Sequence, residues 1–181
     1  HVSSSTQGQA LAALLFLYRH VLDRPLEGLG PIPRARAPVR LPVVLTRQEV
    51  QRVLAGLEGT VGMVGALLYG SGMRLMECLT LRVKDVDLER GELRIRRAKG
   101  AKDRVTVLAR AARGPLEQHV ERVRQVHGRD LAEGAGWVEL PDALGRKYPS
   151  AGRSWPWQWV FPARRRLVDR VTGQIRRHHL H

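Results

Sequence analysis

Residues Tyr69 to Asp87 read YGSGMRLMECLTLRVKDVD. A Gly-Ser-Gly turn delivers Arg74 to the start of a helix, and Glu77 follows one turn later. Residues at i and i+3 share a helix face, so the guanidinium and the carboxylate are neighbours there. Leu79 and Leu81 are placed to pack inward, while Val83, Val86 and Leu88 lead out towards a strand. An arginine fixed on a rigid turn suits a planar, bidentate grip on a phosphate, which lysine cannot supply. Taken alone, the same residues also read as an ordinary surface Arg–Glu pair of little energetic consequence.

The 181 residues carry 31 Lys plus Arg against 17 Asp plus Glu, a net charge of +14, with a pI near 11.4. That excess points to a polyanion, nucleic acid first and an acidic membrane surface second. With 43% hydrophobic residues the chain supports a real core, either one medium domain or a domain with part of another. No apolar run is long enough to span a bilayer, and the N-terminus does not read as a signal peptide. A single cysteine, Cys78, excludes an internal disulfide framework and suggests a reducing compartment. Among Met76, Leu79 and Leu81 it reads as a buried structural thiol.

Upstream of the arginine turn, Leu11, Leu14, Leu15, Tyr18 and Leu22 fall at helical spacing between Thr6 and Leu22, with Ser5 or Thr6 as cap. The broad apolar stripe of this helix reads as the end of a helical domain. Residues 24–45 then form a proline-rich basic connector containing Arg34, Arg36 and Arg40. Such a segment is either disordered or laid along a phosphate backbone. Thr46-Arg47-Gln48-Glu49 is a capping box opening the next helix. VGMVGALLY, after Gly59-Thr60, is apolar almost all round and reads as a central buried helix.

Downstream the period changes. ELRIRR at 92–97 and RVTVL at 104–108 alternate, and AKGAKD between them supplies a hairpin connection with Lys99 and Lys102 at or near its tip. Pro115 to His127 reads as an amphipathic helix, and LPDALGRKYP as a short helix ended before Pro149. In WPWQWVFP, tryptophans at 155, 157 and 159 alternate, which predicts an extended segment presenting them to one side. The last stretch, RRLVDRVTGQIRRHHLH, reads as two short strands around a turn near Thr172-Gly173.

Taken in order, GSGMRLMECLTLRVKDVD and a hairpin bearing AKGAKDR resemble the start of the catalytic domain of tyrosine recombinases, the phage-integrase family. ELPDALGRKYP, WQWVFP and RRHHLH resemble the insertion and following segment of one branch, the integron integrases. The resemblance covers nearly the whole chain. It implies an α+β, mainly helical fold: part of a tyrosine-recombinase catalytic domain with small antiparallel β-hairpins, preceded by the last helix of an α-helical core-binding domain. Residues 1–23 would end that DNA-clamping domain, 24–45 the linker, and 46–181 the catalytic part, with the insertion at about 128–160.

In this family a tyrosine attacks a DNA phosphodiester, forms a phosphotyrosyl bond and releases a 5′-hydroxyl. Positioned guanidinium groups stabilise the charge that develops on the phosphate oxygens. The resemblance therefore implies site-specific recombination with no metal and no cofactor. Arg74 matches the first of the family's two arginines, and Glu77 its acidic position, with an orienting role. Lys99, preceding the glycine of AKG, matches the lysine that protonates the leaving oxygen. Lys102 is the competing choice and otherwise a phosphate contact, as is Arg104.

Trp157 matches a tryptophan implicated in stacking an unpaired base, and His178 and His179 lie on the segment that lines that pocket. Core packing is the other reading of these residues, and the one adopted for Trp155 and Trp159. HHLH suggests zinc, yet alternating strand positions without cysteines or nearby carboxylates make a weak ligand set.

The sequence departs from the family in two places. The family's second box, a His-x-x-Arg pattern, is not found in RRHHLH, which contains no arginine three residues after a histidine, and none of Tyr18, Tyr69 and Tyr148 matches the place of the nucleophile. Both ends read as cut, so the chain is expected to hold half an active site and to be inactive alone. The implied partners are DNA, including folded single-stranded sites with protruding bases, and further copies forming a tetramer on DNA in the parent, with no membrane. The implied location is the bacterial cytoplasm, at the nucleoid. A DNA-binding module without catalysis, from a truncated or decayed integrase, is the alternative.

Overall fold

The computed structural model describes residues 2–24, 26, 30, 41–98, 102–141 and 143–181. It divides into two units, His1–Leu45 and Thr46–His181. In the first, α1 (Ser4–Phe16) runs on into a π-helical turn, Leu17–Val21. Its cap is Ser3, whose hydroxyl accepts the Thr6 N–H at 3.1 Å, rather than Ser5 or Thr6. No residue of α1 is buried, so its apolar stripe is open within the described residues. Arg34, Arg36 and Arg40 of the connector lie outside the described residues.

The second unit opens on α2 (Arg47–Ala55), and the expected capping box is formed: the Glu49 carboxylate accepts the Thr46 N–H at 2.7 Å and the Thr46 hydroxyl accepts the Glu49 N–H at 3.3 Å. Such a cap is worth about 1 kcal/mol. The next helix, α3 (Gly59–Ser71), packs into the core as expected but is not buried all round: it buries Val64 and Leu67 and leaves Val61 and Tyr69 exposed. Gly62 explains part of its apolar composition, because a Cβ there would stand 2.5 Å from the Leu57 carbonyl oxygen. The helix ends at Gly72, whose φ of 64° is the left-handed conformation that glycine adopts without strain. Then α4 (Leu75–Leu79) starts immediately after Arg74.

A 3₁₀ turn, Val83–Asp85, leads into β1 (Val86–Asp87), β2 (Glu92–Ala98) and β3 (Lys102–Val107), an antiparallel sheet in that order. Leu93 and Ile95 of β2 are buried on its core face. Packed beside the sheet, α5 (Arg110–Ala132) extends beyond the expected Pro115–His127 at both ends. Pro115 sits inside it and forgoes one backbone bond. Burial of Ala112, Leu116, His119, Val123 and His127 along one face offsets that loss.

After a short α6 (Leu144–Lys147), the tryptophan segment is not extended: Trp155–Trp157 is a 3₁₀ turn. Gln158 holds it in that form: its buried amide nitrogen, with two hydrogens to donate, lies 3.2, 3.2 and 3.3 Å from the carbonyl oxygens of Gly136, Gly152 and Ser154. Trp159 is buried as expected, whereas Trp155, assigned to the core, is half-buried and tilted against His127. Finally β4 (Pro162–Val168) and β5 (Ile175–His179) pair antiparallel around the expected turn at Gly173. Leu67, Leu93, Leu116, Val160 and Phe161, all almost fully buried, join α3, the first sheet, α5 and the start of β4 into one core. Among the described residues no helix is long and apolar enough to cross a membrane.

Candidate nucleic-acid interface

Arg74 leaves the Gly72 turn with an extended backbone, and its own N–H bonds the Glu77 carboxylate at 2.9 Å. The same carboxylate accepts Nη1 of Arg74 at 2.8 Å and both terminal nitrogens of Arg104, on β3, at 2.9 and 2.7 Å. Glu77 is 9% exposed, Arg104 35% and Arg74 59%. The Arg104 hydrogen bonds, foremost, and then those of Arg74 hold the Glu77 carboxyl at about 2 against burial, which acts the other way. Arg104, read from sequence as a DNA contact, thus spends its fork on Glu77. Arg74 spends one nitrogen there and keeps the rest of its guanidinium open.

A cleft of about 360 Å³ runs from Glu77 to Trp157 and Trp159, with Arg82, Lys84 and Arg96 along it. The Arg82 guanidinium lies 3.1 Å above the Trp159 ring and donates to the carbonyls of Trp157 and Glu139, each at 2.7 Å. Burial pulls its pKa down to about 10. Lys84 places its ammonium 3.2 Å from the centre of the Trp157 ring, and burial also lowers its pKa. Arg96 donates through Nε to the buried Asp85 at 2.7 Å. Sequence reasoning missed Arg82, Lys84 and Arg96. Their signal was their alternation in LRVKD and RIRR, but the aromatic partners of Arg82 and Lys84 lie more than seventy residues further along.

Of the remaining expected residues, Lys102 is exposed as the first residue of β3, whereas Lys99 lies outside the described residues. Trp157 is half-buried, with Lys84 on one face, and borders a second cavity of about 510 Å³ with Pro141, Leu144 and Lys147. At the end of β5, the buried His179 meets Trp159 edge-on at 5.4 Å, and His178 lies 4.2 Å from His179. Cys78 is fully buried, which pushes its thiol up to about 12, well out of the nucleophilic range.

Residues 44–175 match the Phage integrase family. The chain belongs to that family. It is similar to proteins named "Integrase/recombinase" from Escherichia coli and Pseudomonas aeruginosa, each 49% identical over 180 residues, covering 99% of this chain and 53% of the relative. It is also 38% identical over 103 residues to "Tyrosine recombinase XerA" of Thermococcus kodakarensis, covering 55% of this chain and 36% of that protein. A crystal structure of XerA recombinase aligns with 66% of this chain and 42% of its own, at 27% identity and a TM-score of 0.41. The chain spans about half the length of the first two relatives. In this phage-integrase family chain the matched residues run from the end of the connector to the first residue of β5, so His178 and His179 lie beyond them.

Proposed function

We propose that the chain is the first part of the catalytic domain of a site-specific DNA recombinase that cuts and rejoins strands through a phosphotyrosyl bond. The observation that carries this reading is the Glu77 carboxylate holding Arg74 and Arg104 together while leaving Arg74 donors open to a phosphate. Arg74 stabilises charge on the phosphate oxygens, Glu77 orients it, and Arg104 fixes β3 to α4. Lys99 gives its proton to the leaving 5′-oxygen, and Lys102 touches a neighbouring phosphate. The attacking tyrosine and a second arginine box belong to the whole recombinase. On this reading residues 1–23 end a DNA-clamping domain, 24–45 track the backbone through Arg34, Arg36 and Arg40, and 46–181 bind the cleavage site in a tetramer.

The basic, aromatic cleft supports a finer reading, recombination of integron cassettes. Trp157, with His178 and His179, would stack a base protruding from a folded single strand, a contact that needs no base-specific hydrogen bond. The test uses the whole recombinase on a substrate whose 5′-bridging oxygen is sulfur, a leaving group that needs no proton. Lys99→Ala should lose cleavage of the ordinary substrate and recover it on the sulfur one. Arg74→Lys, which keeps charge but loses the fork, should stay impaired by orders of magnitude on both while still binding the site. Recovery by Lys102→Ala in place of Lys99→Ala moves the acid three residues along. Full activity of Arg74→Lys would contradict the phosphate grip.

A further inference from the structure

His178, His179 and His181 each bring one ring nitrogen within 4.8 Å of the others. Their ring centroids are 4.2, 4.7 and 4.6 Å apart. On a regular strand consecutive side chains point to opposite faces, which is why spacing alone made HHLH a weak ligand set. Here the strand ends at His179, Leu180 bonds back to the Phe161 carbonyl, and His181 comes to lie against both earlier rings.

Two details single this cluster out. His179 Nδ1 lies 2.7 Å from the Leu180 carbonyl oxygen. A carbonyl only accepts, so the proton sits on Nδ1 and the lone pair on Nε2. A carbonyl behind one ring nitrogen is also how metal-bound imidazoles are oriented. Second, His178 Nδ1 is buried and has no hydrogen-bond partner. Leaving such an atom unpaired is unfavourable, and a metal bound there would supply what it lacks.

We propose that His178, His179 and His181 form a site for one divalent transition-metal ion of the zinc class. Imidazole nitrogen suits zinc, cobalt and nickel, whereas magnesium and calcium require oxygen ligands that the cluster does not contain. Tetrahedral zinc, with Zn–N near 2.0–2.1 Å, sets its nitrogens about 3.3 Å apart. The rings must therefore close by up to about 1.5 Å from their present spacing, and the exposed His181 is the one free to turn. Three protein ligands leave a fourth position open. Arg82, stacked on the neighbouring Trp159, adds repulsion, so the affinity expected is micromolar and not that of a structural zinc site.

The test is a titration of the metal-stripped chain with zinc by calorimetry and with cobalt(II) by visible absorption. It contains no nucleic acid, so recombination can fail without touching this inference, and the inference can fail without touching recombination. One zinc per chain is expected at a dissociation constant of about 1–10 μM. His181→Ala should weaken it by about thirtyfold or more, from losing one of three ligands, while His20→Gln binds as wild type. Because His181 is exposed, its variant should melt as wild type without zinc, and zinc should raise the melting temperature of wild type alone. No saturable binding below about 100 μM, or binding unchanged in both His179→Ala and His181→Ala, overturns the site.

Discussion

Glu77 receives four hydrogen bonds, from two arginines, while nine-tenths buried. Its carboxyl titrates near 2 in the fold against an ordinary 4.5. A depressed acid of this kind contributes stability that is complete above pH 4.5 and is lost as the pH falls towards 2. Glu77→Gln keeps the shape and removes the charge, so it should cost about 2 kcal/mol at neutral pH, within the range for hydrogen bonds to charged groups. Denaturant unfolding of both proteins across pH checks this. The gap between them should close as the pH drops from 4.5 towards 2, and a gap that stays constant would mean the carboxylate charge is not what matters. Sequence placed Glu77 beside Arg74 because i,i+3 neighbours are fixed by helix geometry. It did not pair Glu77 with Arg104, since that contact depends on how β3 docks on α4.

Among the elements, those defined by local pattern were readable: the capping box at Thr46, the alternation of β2 and β3, and the turn between β4 and β5. Those set by distant bonds were not. The alternating tryptophans imitate a strand, but Gln158 reaches three carbonyls and coils the segment. Pro115 imitates a helix start, but an apolar face running to both sides of it carries α5 through.

The β4–β5 ribbon contains a different kind of signal, a cluster of arginines with unequal duties. Arg166 and Arg177 are tied to Asp130, and Arg176 to Asp169. Arg164, Arg165 and Arg170 are exposed, with no acidic partner among the described residues. A two-stranded ribbon fits the major groove, and free guanidiniums on it would meet phosphates. Replacing all three by glutamine should lower the slope of log affinity against log salt by about 2–3 without changing the fold. An unchanged slope would place DNA elsewhere on the molecule.

At the scale of the molecule, the +14 charge, the open donors of Arg74 and the aromatic cleft are the features on which the proposed partner, DNA bearing an unpaired base, rests. Phosphate contacts supply affinity that salt screens, and stacking supplies a preference that salt leaves largely intact. The measurement that tests this most directly is binding of the chain to two labelled hairpins, one fully paired and one with a protruding base. Between about 50 and 200 mM salt, affinity for both should fall by at least about a hundredfold. The protruding base should be preferred by about 1–3 kcal/mol at every salt concentration, and Trp157→Ala should abolish that preference alone. Affinity that stays flat with salt, with both hairpins bound equally by the wild type and by Trp157→Ala, would contradict the account.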